Sequence, residues 1–443
     1  MTQKIILSLL QEKKFGELKQ IISVLNEVDL ASILENLDEK EMIMVFRLID
    51  KTKAAATFSH MNVRIQELLI AAFTEKELKE ILDEMFLDDT ADLLEEMPAN
   101  VVEHILSVTD PATRTSINTL LNYPEDSAGS IMTIEYVDLK RNMTVYEAIN
   151  KIKHVGIDKE TIYTCYVIDS KKLIGIVSAK DLLLSDNDIK IETIMETNLI
   201  FADTHDDKEK VAKLFSKYGF LAIPVVDTEQ CMVGIVTYDD AMAVIQEEVD
   251  EDIAMMSGIV PGEDTYFGTS IFAHAKSRIV WLLVLMLSAT ITGTIITKYE
   301  HAFSAIPLLV SFIPMLMDTG GNCGSQSSTL IIRGLALDEI KLSDFLKVGF
   351  KEFRIAIVVS CVLALVNGLR IFMMYNDLMM AILISVSLFA TIIMAKLIGS
   401  LLPMVATKCK LDPAIMSAPL ITTLVDTFSI LIYFQIATHL FAL

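Results

Sequence analysis

Leu411-Asp-Pro-Ala-Ile-Met-Ser-Ala-Pro-Leu-Ile-Thr-Thr-Leu-Val-Asp-Thr-Phe-Ser-Ile-Leu-Ile-Tyr-Phe434 opens the last hydrophobic run of a 443-residue chain. Residues 415–440 are apolar and exceed the ~20 residues that a membrane-spanning helix needs, yet Asp426 stands near their middle. A carboxylate at that depth costs about 2.5–3.5 kcal/mol on insertion scales, so it has to face protein or water rather than lipid. Pro419, seven residues earlier, has no backbone N–H; inside a helix running from residue 415 it would free one carbonyl to face a cavity. The stretch reads as a spanning helix with an acid that attracts a cation.

Four further runs precede it, at 279–297, 306–335, 355–374 and 378–404, which makes five expected spans. The second is interrupted by Pro314-Met-Leu-Met-Asp-Thr-Gly-Gly-Asn-Cys-Gly-Ser-Gln326. Gly320, Gly321 and Gly324, with Asn322 and Gln326, are expected to loosen the helix, which is tolerated only where backbone lines water or is buried in protein. The same glycines also read as a small-residue surface for a neighbouring helix, and both readings stand. Asp318 is either a second intramembrane acid or an interfacial one.

Lysine and arginine favour alternate loops: Arg333, Lys341, Lys347, Lys351 and Arg354 share a side with Lys408 and Lys410, and Lys276 and Arg278 precede the first span. That bias puts the soluble part in the cytoplasm and the C-terminus outside a multi-pass cell-membrane protein. The start of the sequence has no signal-peptide pattern, so the first span is expected to set the topology. The histidines His104, His274 and His439 read as core or interface, and His301 as part of an outer loop.

The chain is 52% hydrophobic, with mean hydropathy +0.48, and its net charge of −22 is unevenly placed. From residue 276 onward there are 12 basic and 9 acidic side chains; the first 275 residues hold 25 basic and 50 acidic ones. Such a surface repels nucleic acid and attracts cations. Five isolated cysteines suggest neither a disulfide framework nor a zinc site. No Walker A motif and no nucleophilic constellation is found, so no catalysis is expected.

Residues 1–125 read as short amphipathic helices with a faint 60-residue repeat: Asp29 to Leu37 resembles Asp89 to Met97, and Asp50 and Asp110 close the two units. Helical pairs stacked as a small superhelix fit that pattern. Residues 126–250 hold a stronger repeat. Ile131-Met132 is echoed by Ile194-Met195, Gly175-Ile-Val-Ser178 by Gly234-Ile-Val-Thr237, and Lys180-Asp181 by Asp239-Asp240. Each copy has a helix (145–154; 208–218), two β-branched strands and a closing helix, too little to bury its own core, so the copies should pack together. They resemble tandem CBS domains. In some CBS pairs the acid opening the closing helix, here Asp181 or Asp240, contacts the ribose of an adenine nucleotide; complementing the helix dipole is the other reading.

The motif at 314–326, Asp412-Pro-Ala414 and the late Asp426 resemble the MgtE family of magnesium channels, and the order of domains matches over essentially the whole chain. The resemblance implies an all-α N-terminal domain (1–125), a CBS pair (126–250), a connecting plug helix (251–275) and a five-helix transmembrane domain (276–443). It also implies a homodimer with a magnesium-selective pore on its axis. The family's pore aspartate maps onto Asp426. Ala418 stands where some members carry Asn and Thr422 where some carry Ala, and the pore lining is expected to include these two with Gly320, Gly321, Asn322 and Gln326.

Mg²⁺ dehydrates reluctantly, so a pore can hold the hydrated ion through oxygen acceptors, with one Asp426 from each subunit balancing its charge. An inside-negative potential supplies ~2.3 kcal/mol per charge per 100 mV, which drives entry without ATP hydrolysis. Glu84, Asp88 and Asp92 fall at four-residue spacing beside Asp89, and Glu248, Glu251 and Asp252 at i, i+3, i+4. With Asp239 and Asp240 these acids form an expected Mg²⁺ sensor: the ion bridges mutually repelling carboxylates, compacts the soluble part and draws the plug into the pore. Transport of other divalent cations, export, or a membrane-anchored CBS signalling module are the rival readings.

Overall fold

The computed structural model describes residues 2–262, 266–300, 306–416 and 418–441, without the side chains of Thr2 and Ala418; His301 lies outside the described residues. The chain forms two compact units, Met1–Gln246 and Glu247–Leu443.

The first unit opens with ten short helices, from α1 (Thr2–Gln11) to α10 (Pro111–Leu120). Their core includes the wholly buried Leu18, Leu30, Leu34, Phe58, Leu69 and Leu78; each such side chain contributes roughly 1.5–3 kcal/mol on leaving water. The 60-residue repeat is visible in the caps. Asp50 is the N-cap of Lys51–Ser59, and Asp110 is that of α10, accepting from the amides of Ala112 and Thr113, where it satisfies donors that the helix cannot.

Two copies of one α/β unit follow. Strands β1 (Asp138–Leu139), β2 (Thr164–Asp169) and β3 (Lys172–Ser178) make one sheet; β4 (Ala202–Asp203), β5 (Ala222–Val226) and β6 (Met232–Thr237) make the other. In each the first pair is parallel and the second antiparallel, and the antiparallel register shifts at matching places, Val167/Ile168 and Val225/Val226. The repeats exchange their leading segments: Thr133 pairs with Ile235 and Ile176 with Glu196. A Cβ at Gly234 would lie 2.7 Å from Met132 Sδ, and one at Gly175 2.8 Å from Met195 Sδ. Each methionine of the repeated Ile-Met pair thus fills the space left by the other copy's glycine. Helices α11 (Val145–Val155), α12 (Ala179–Leu184), α13 (Ile191–Ile194) and α14 (Lys208–Tyr218) flank the sheets.

Helix α8 (Leu87–Glu96) and α10 join the ten-helix region to the second repeat. Ala91 and Leu120 are buried in one core with Met132, Val236, Ala241 and Val244. The last two belong to α15 (Tyr238–Met256), which carries the chain on into the second unit.

The second unit contains, among the described residues, five long helices: α16 (Ile271–Lys298), α17 (Ile313–Ala336), α18 (Phe345–Tyr375), α19 (Leu378–Lys408) and α20 (Ala418–Phe441). Four of them are apolar and long enough to cross a membrane; α17 is the polar exception. Helix α19 packs on α17 and α18, and α20 lies on α17.

Local expectations are corrected in two helices. Helix α17 is not interrupted at 314–326: the irregular part is a 3₁₀ turn upstream, Pro307–Phe312, and Pro314 sits in the first helical turn, where its missing N–H has no partner to lose. The glycines are close-packing positions. A Cβ at Gly320 would meet Thr391 at 2.8 Å and Val425 at 2.9 Å, one at Gly321 would meet Thr422 at 3.0 Å, and one at Gly324 would meet Ile421 at 2.7 Å. Small residues there let backbones approach while the intrahelical hydrogen bonds survive.

The last helix starts at Ala418 rather than 415, after a 3₁₀ turn at Pro413–Met416. Pro419 therefore frees no carbonyl in a helix interior, and its own carbonyl accepts from the hydroxyls of Thr422 and Thr423. In the connecting segment at 251–275, residues 251–256 close α15 and α16 begins at Ile271, with the Gly/Pro-bearing stretch 257–262 outside both helices.

Candidate cation sites

Helix α17 has two faces. Its glycine face, with Cys323, Ser327 and Ser328, is buried, whereas Asp318, Asn322 and Gln326 are exposed at i, i+4 and i+8, one above another on the opposite face. Asn322 donates to Asp318 Oδ1 at 3.2 Å. Asp426, on α20, is half-buried, and its helix meets that of Asp318 where a Cβ at Gly320 would lie 2.9 Å from Val425. Thr422, one turn before Asp426, spends its hydroxyl proton on Pro419, leaving lone pairs to offer. Gly320 and Gly321 do not join this polar face, and the side chain of Ala418 lies outside the described residues. The turn before α20 is held by its own Asp412, which accepts from Ala414 N at 2.7 Å, and by Ser328, which donates to Met416 O at 2.9 Å.

In the first unit a second group of carboxylates is held together by the packing of α8 on the second CBS repeat. Asp88 and Asp89 lie in the first turn of α8, Asp92 one turn later, and Asp239 and Asp240 open α15. Two members were missed in the sequence, Glu135 and Glu160. Glu135 accepts from Leu87 N at 3.1 Å, just where α8 begins, and its carbonyl accepts from Glu160 N at 2.9 Å. Asp88 Oδ1 and Glu160 Oε2 are buried with no hydrogen-bond partner.

The energetics are those of an unbalanced site. Burial, then Asp240, Asp89 and Glu160, push the Asp88 carboxyl up to about 9; burial and Asp240 push Asp92 to about 7. Burial with Asp240 and Asp239 lifts Glu160 to about 7. Burial lifts Asp240 to about 6, against the hydrogen bond from Thr237. Burial also raises Asp89 and Glu135, against the opposing influence of His60 on the first and of the Leu87 amide and Lys159 on the second. Buried like charges of this kind are relieved either by taking up protons or by a nearby cation. Among the described residues, no three His, Cys, Asp or Glu side chains are arranged to grip one ion directly.

Glu248, Glu251 and Asp252 continue along α15, roughly 12 Å or more beyond Asp240 at 1.5 Å per residue. Glu84 is not on the α8 face, because α8 starts at Leu87; it accepts from Thr52 Oγ1 at 2.7 Å. Asp181 is exposed and closes a capping box with Ser178 at the head of α12. It is absent from the walls of a cleft of about 320 Å³ formed by Tyr136, Asp138, Lys159, Lys171 and Met232.

Acids in a bundle of long apolar helices, joined to an acidic CBS-bearing unit, fit a membrane cation transporter. A family profile described as "Divalent cation transporter" matches residues 313–436, one for the MgtE intracellular N domain matches 25–126, and one for the CBS domain matches 128–187 and 191–247. The chain is 34% identical to the magnesium transporter MgtE of Bacillus subtilis over 98% of its own length and 96% of the relative's. It is 34% identical to that of Thermus thermophilus over 99% and 98%. The crystal structure of the cytosolic domain of the Mg²⁺ channel MgtE in complex with ATP superposes with a TM-score of 0.52 at 35% identity, covering 54% of this chain and 98% of that one. The chain belongs to the MgtE family of magnesium transporters, which are not enzymes.

Proposed function

We propose that the chain is a Mg²⁺-selective channel that works as a homodimer, admits Mg²⁺ down its electrochemical gradient and is closed by cytosolic Mg²⁺. The observation that carries this reading is the exposed Asp318–Asn322–Gln326 face of α17 with Asp426 close by. Such a face is not tolerated against lipid. A second copy placed on it would enclose a water-filled path with four carboxylates, enough charge to hold a hydrated dication. The cytoplasmic placement of the soluble part and the outside C-terminus follow from the loop charges.

Gating is assigned to the carboxylates of α8, α15 and the first CBS repeat. Mg²⁺ among Asp88, Asp89, Asp92, Asp239, Asp240, Glu135 and Glu160 would neutralise their repulsion and favour the compact form. Glu248, Glu251 and Asp252 extend the same acidic helix toward the membrane unit and act as its second sensor segment. ATP, present in the relative's cytosolic domain, is proposed to bind the CBS pair here too, with Asp181 as a ribose contact once its capping role is given up.

Uptake of Mg²⁺ into liposomes by wild type and Asp426→Ala tests the pore: a variant that conducts normally would remove Asp426 from the path. A competition series with Mn²⁺ and Co²⁺ separates magnesium selectivity from a general dication pathway, which oxygen ligands alone do not decide. A signalling module without transport is refuted by any flux that depends on Asp426.

A further inference from the structure

Helix α19 carries Lys396 and α18 carries Glu352, both charged types, both inside the bundle at 5% and 7% exposure. They do not form a direct ion pair within 4.0 Å but share Ser327 of α17. Ser327 Oγ donates to Glu352 Oε2 at 2.8 Å and accepts from Lys396 Nζ at 3.2 Å. Ser327 is 1% exposed. Its neighbour Ser328 holds the turn before α20 through Met416 O, and Gly324, one turn earlier, packs on Ile421 and Val425. Val425 is followed by Asp426.

Replacing buried, oppositely charged partners with apolar side chains is often neutral or stabilising, so stability alone is a weak reason for this serine-bridged pair. Breaking it leaves one uncompensated charge in a low-dielectric bundle, close to the contact between α17 and α20. Coulomb's law makes that charge act on a dication twice as strongly as on a monovalent ion.

We propose that Glu352 and Lys396, bridged by Ser327, are a positioning pair for conduction: Glu352 cancels a lysine charge that would otherwise repel the permeating dication, and the bridge seats the foot of α20. This rests on the reading of Asp426 as a pore residue. The pair acts through field and helix placement, without touching the ion.

The test is Mg²⁺ uptake by the full-length protein in liposomes, with the half-saturating concentration measured for each variant. Glu352→Gln is expected to raise that concentration on the order of tenfold and Lys396→Met to lower it comparably. The double variant should return to within about twofold of wild type. Shifts of the same sign in both single variants, no shift in either, or a double variant as impaired as the worse single one overturns the proposal; a mere structural staple would give losses of one sign. If a single variant fails to fold, Ser327→Ala is read: it keeps both charges and is expected to raise half-saturation roughly two- to threefold, and wild-type uptake overturns the pair. Asp426→Asn runs alongside. Normal flux in that variant sinks the pore reading, whereas the opposite-sign pattern judges the pair.

Discussion

Gly399 of α19 meets Gly324 of α17 backbone to backbone: a Cβ on Gly399 would overlap the Gly324 carbonyl oxygen. No side chain rotates away from such a clash, because the obstacle is main chain. The contact sets the separation of the two helices on which the last one rests.

Gly399→Ala is therefore expected to destabilise the membrane unit by about 1–3 kcal/mol, the usual range for overpacking. Gly293→Ala, where a Cβ meets nothing within 4 Å, is expected to be neutral or to stabilise its helix by up to about 1 kcal/mol. Thermal unfolding of the two variants in detergent checks the contrast; equal behaviour would contradict the packing described.

Asp318→Asn is expected to raise the Mg²⁺ concentration for half-maximal flux several-fold while leaving maximal flux largely intact. Asp426→Asn should impair both. Removing one of two neighbouring acids weakens attraction of the ion, and Asp318, the more exposed, makes the smaller contribution. Uptake measured across a Mg²⁺ titration distinguishes the two.

Asp88→Asn removes the most strongly opposed carboxylate of the acidic group in the first unit. Without Mg²⁺ the variant should be more stable than wild type, by about 1–3 kcal/mol, because it no longer has to bury or protonate a carboxylate there. It should also gain less from added Mg²⁺. Protease protection of the soluble part at zero and millimolar Mg²⁺ is the readout, and an unchanged Mg²⁺ response would contradict the assigned site.

The pH dependence has a definite sign. The carboxyls of Asp88, Asp92, Glu160 and Asp240 titrate at about 9, 7, 7 and 6 in the folded chain, above their ordinary values of 3.8 and 4.5. The native state therefore holds more protons than the unfolded one between about pH 4 and 9, and Mg²⁺-free stability falls as pH rises through that window. Mg²⁺ competes with those protons, so its protective effect should be larger at pH 8 than at pH 5. Unfolding midpoints at the two pH values, with and without Mg²⁺, decide it.

The repeats, the helix at 208–218 and the acid in the last span were legible because each rests on local pattern: periodicity, caps and one charge in an apolar run. Glu135 and Glu160 were not, since each stands alone in sequence and joins the acidic group only when α8 docks on the CBS repeats. The glycine motif misled as to helix continuity, because small residues look alike in a loosened helix and in a tightly packed one until the neighbouring helix is in place. Lys396 had a readable signal, a lone lysine deep in the fourth apolar run, but its partner Glu352 lies in another helix and a serine separates the two.

The exchanged methionines of the CBS pair, Met132 against Gly234 and Met195 against Gly175, make the duplicated halves a clasp rather than two beads. A cut between residues 187 and 191 would leave each piece with a hole where its counterpart's thioether belongs, so neither piece should fold alone. With both crossings in place, the two halves are expected to move as one rigid body.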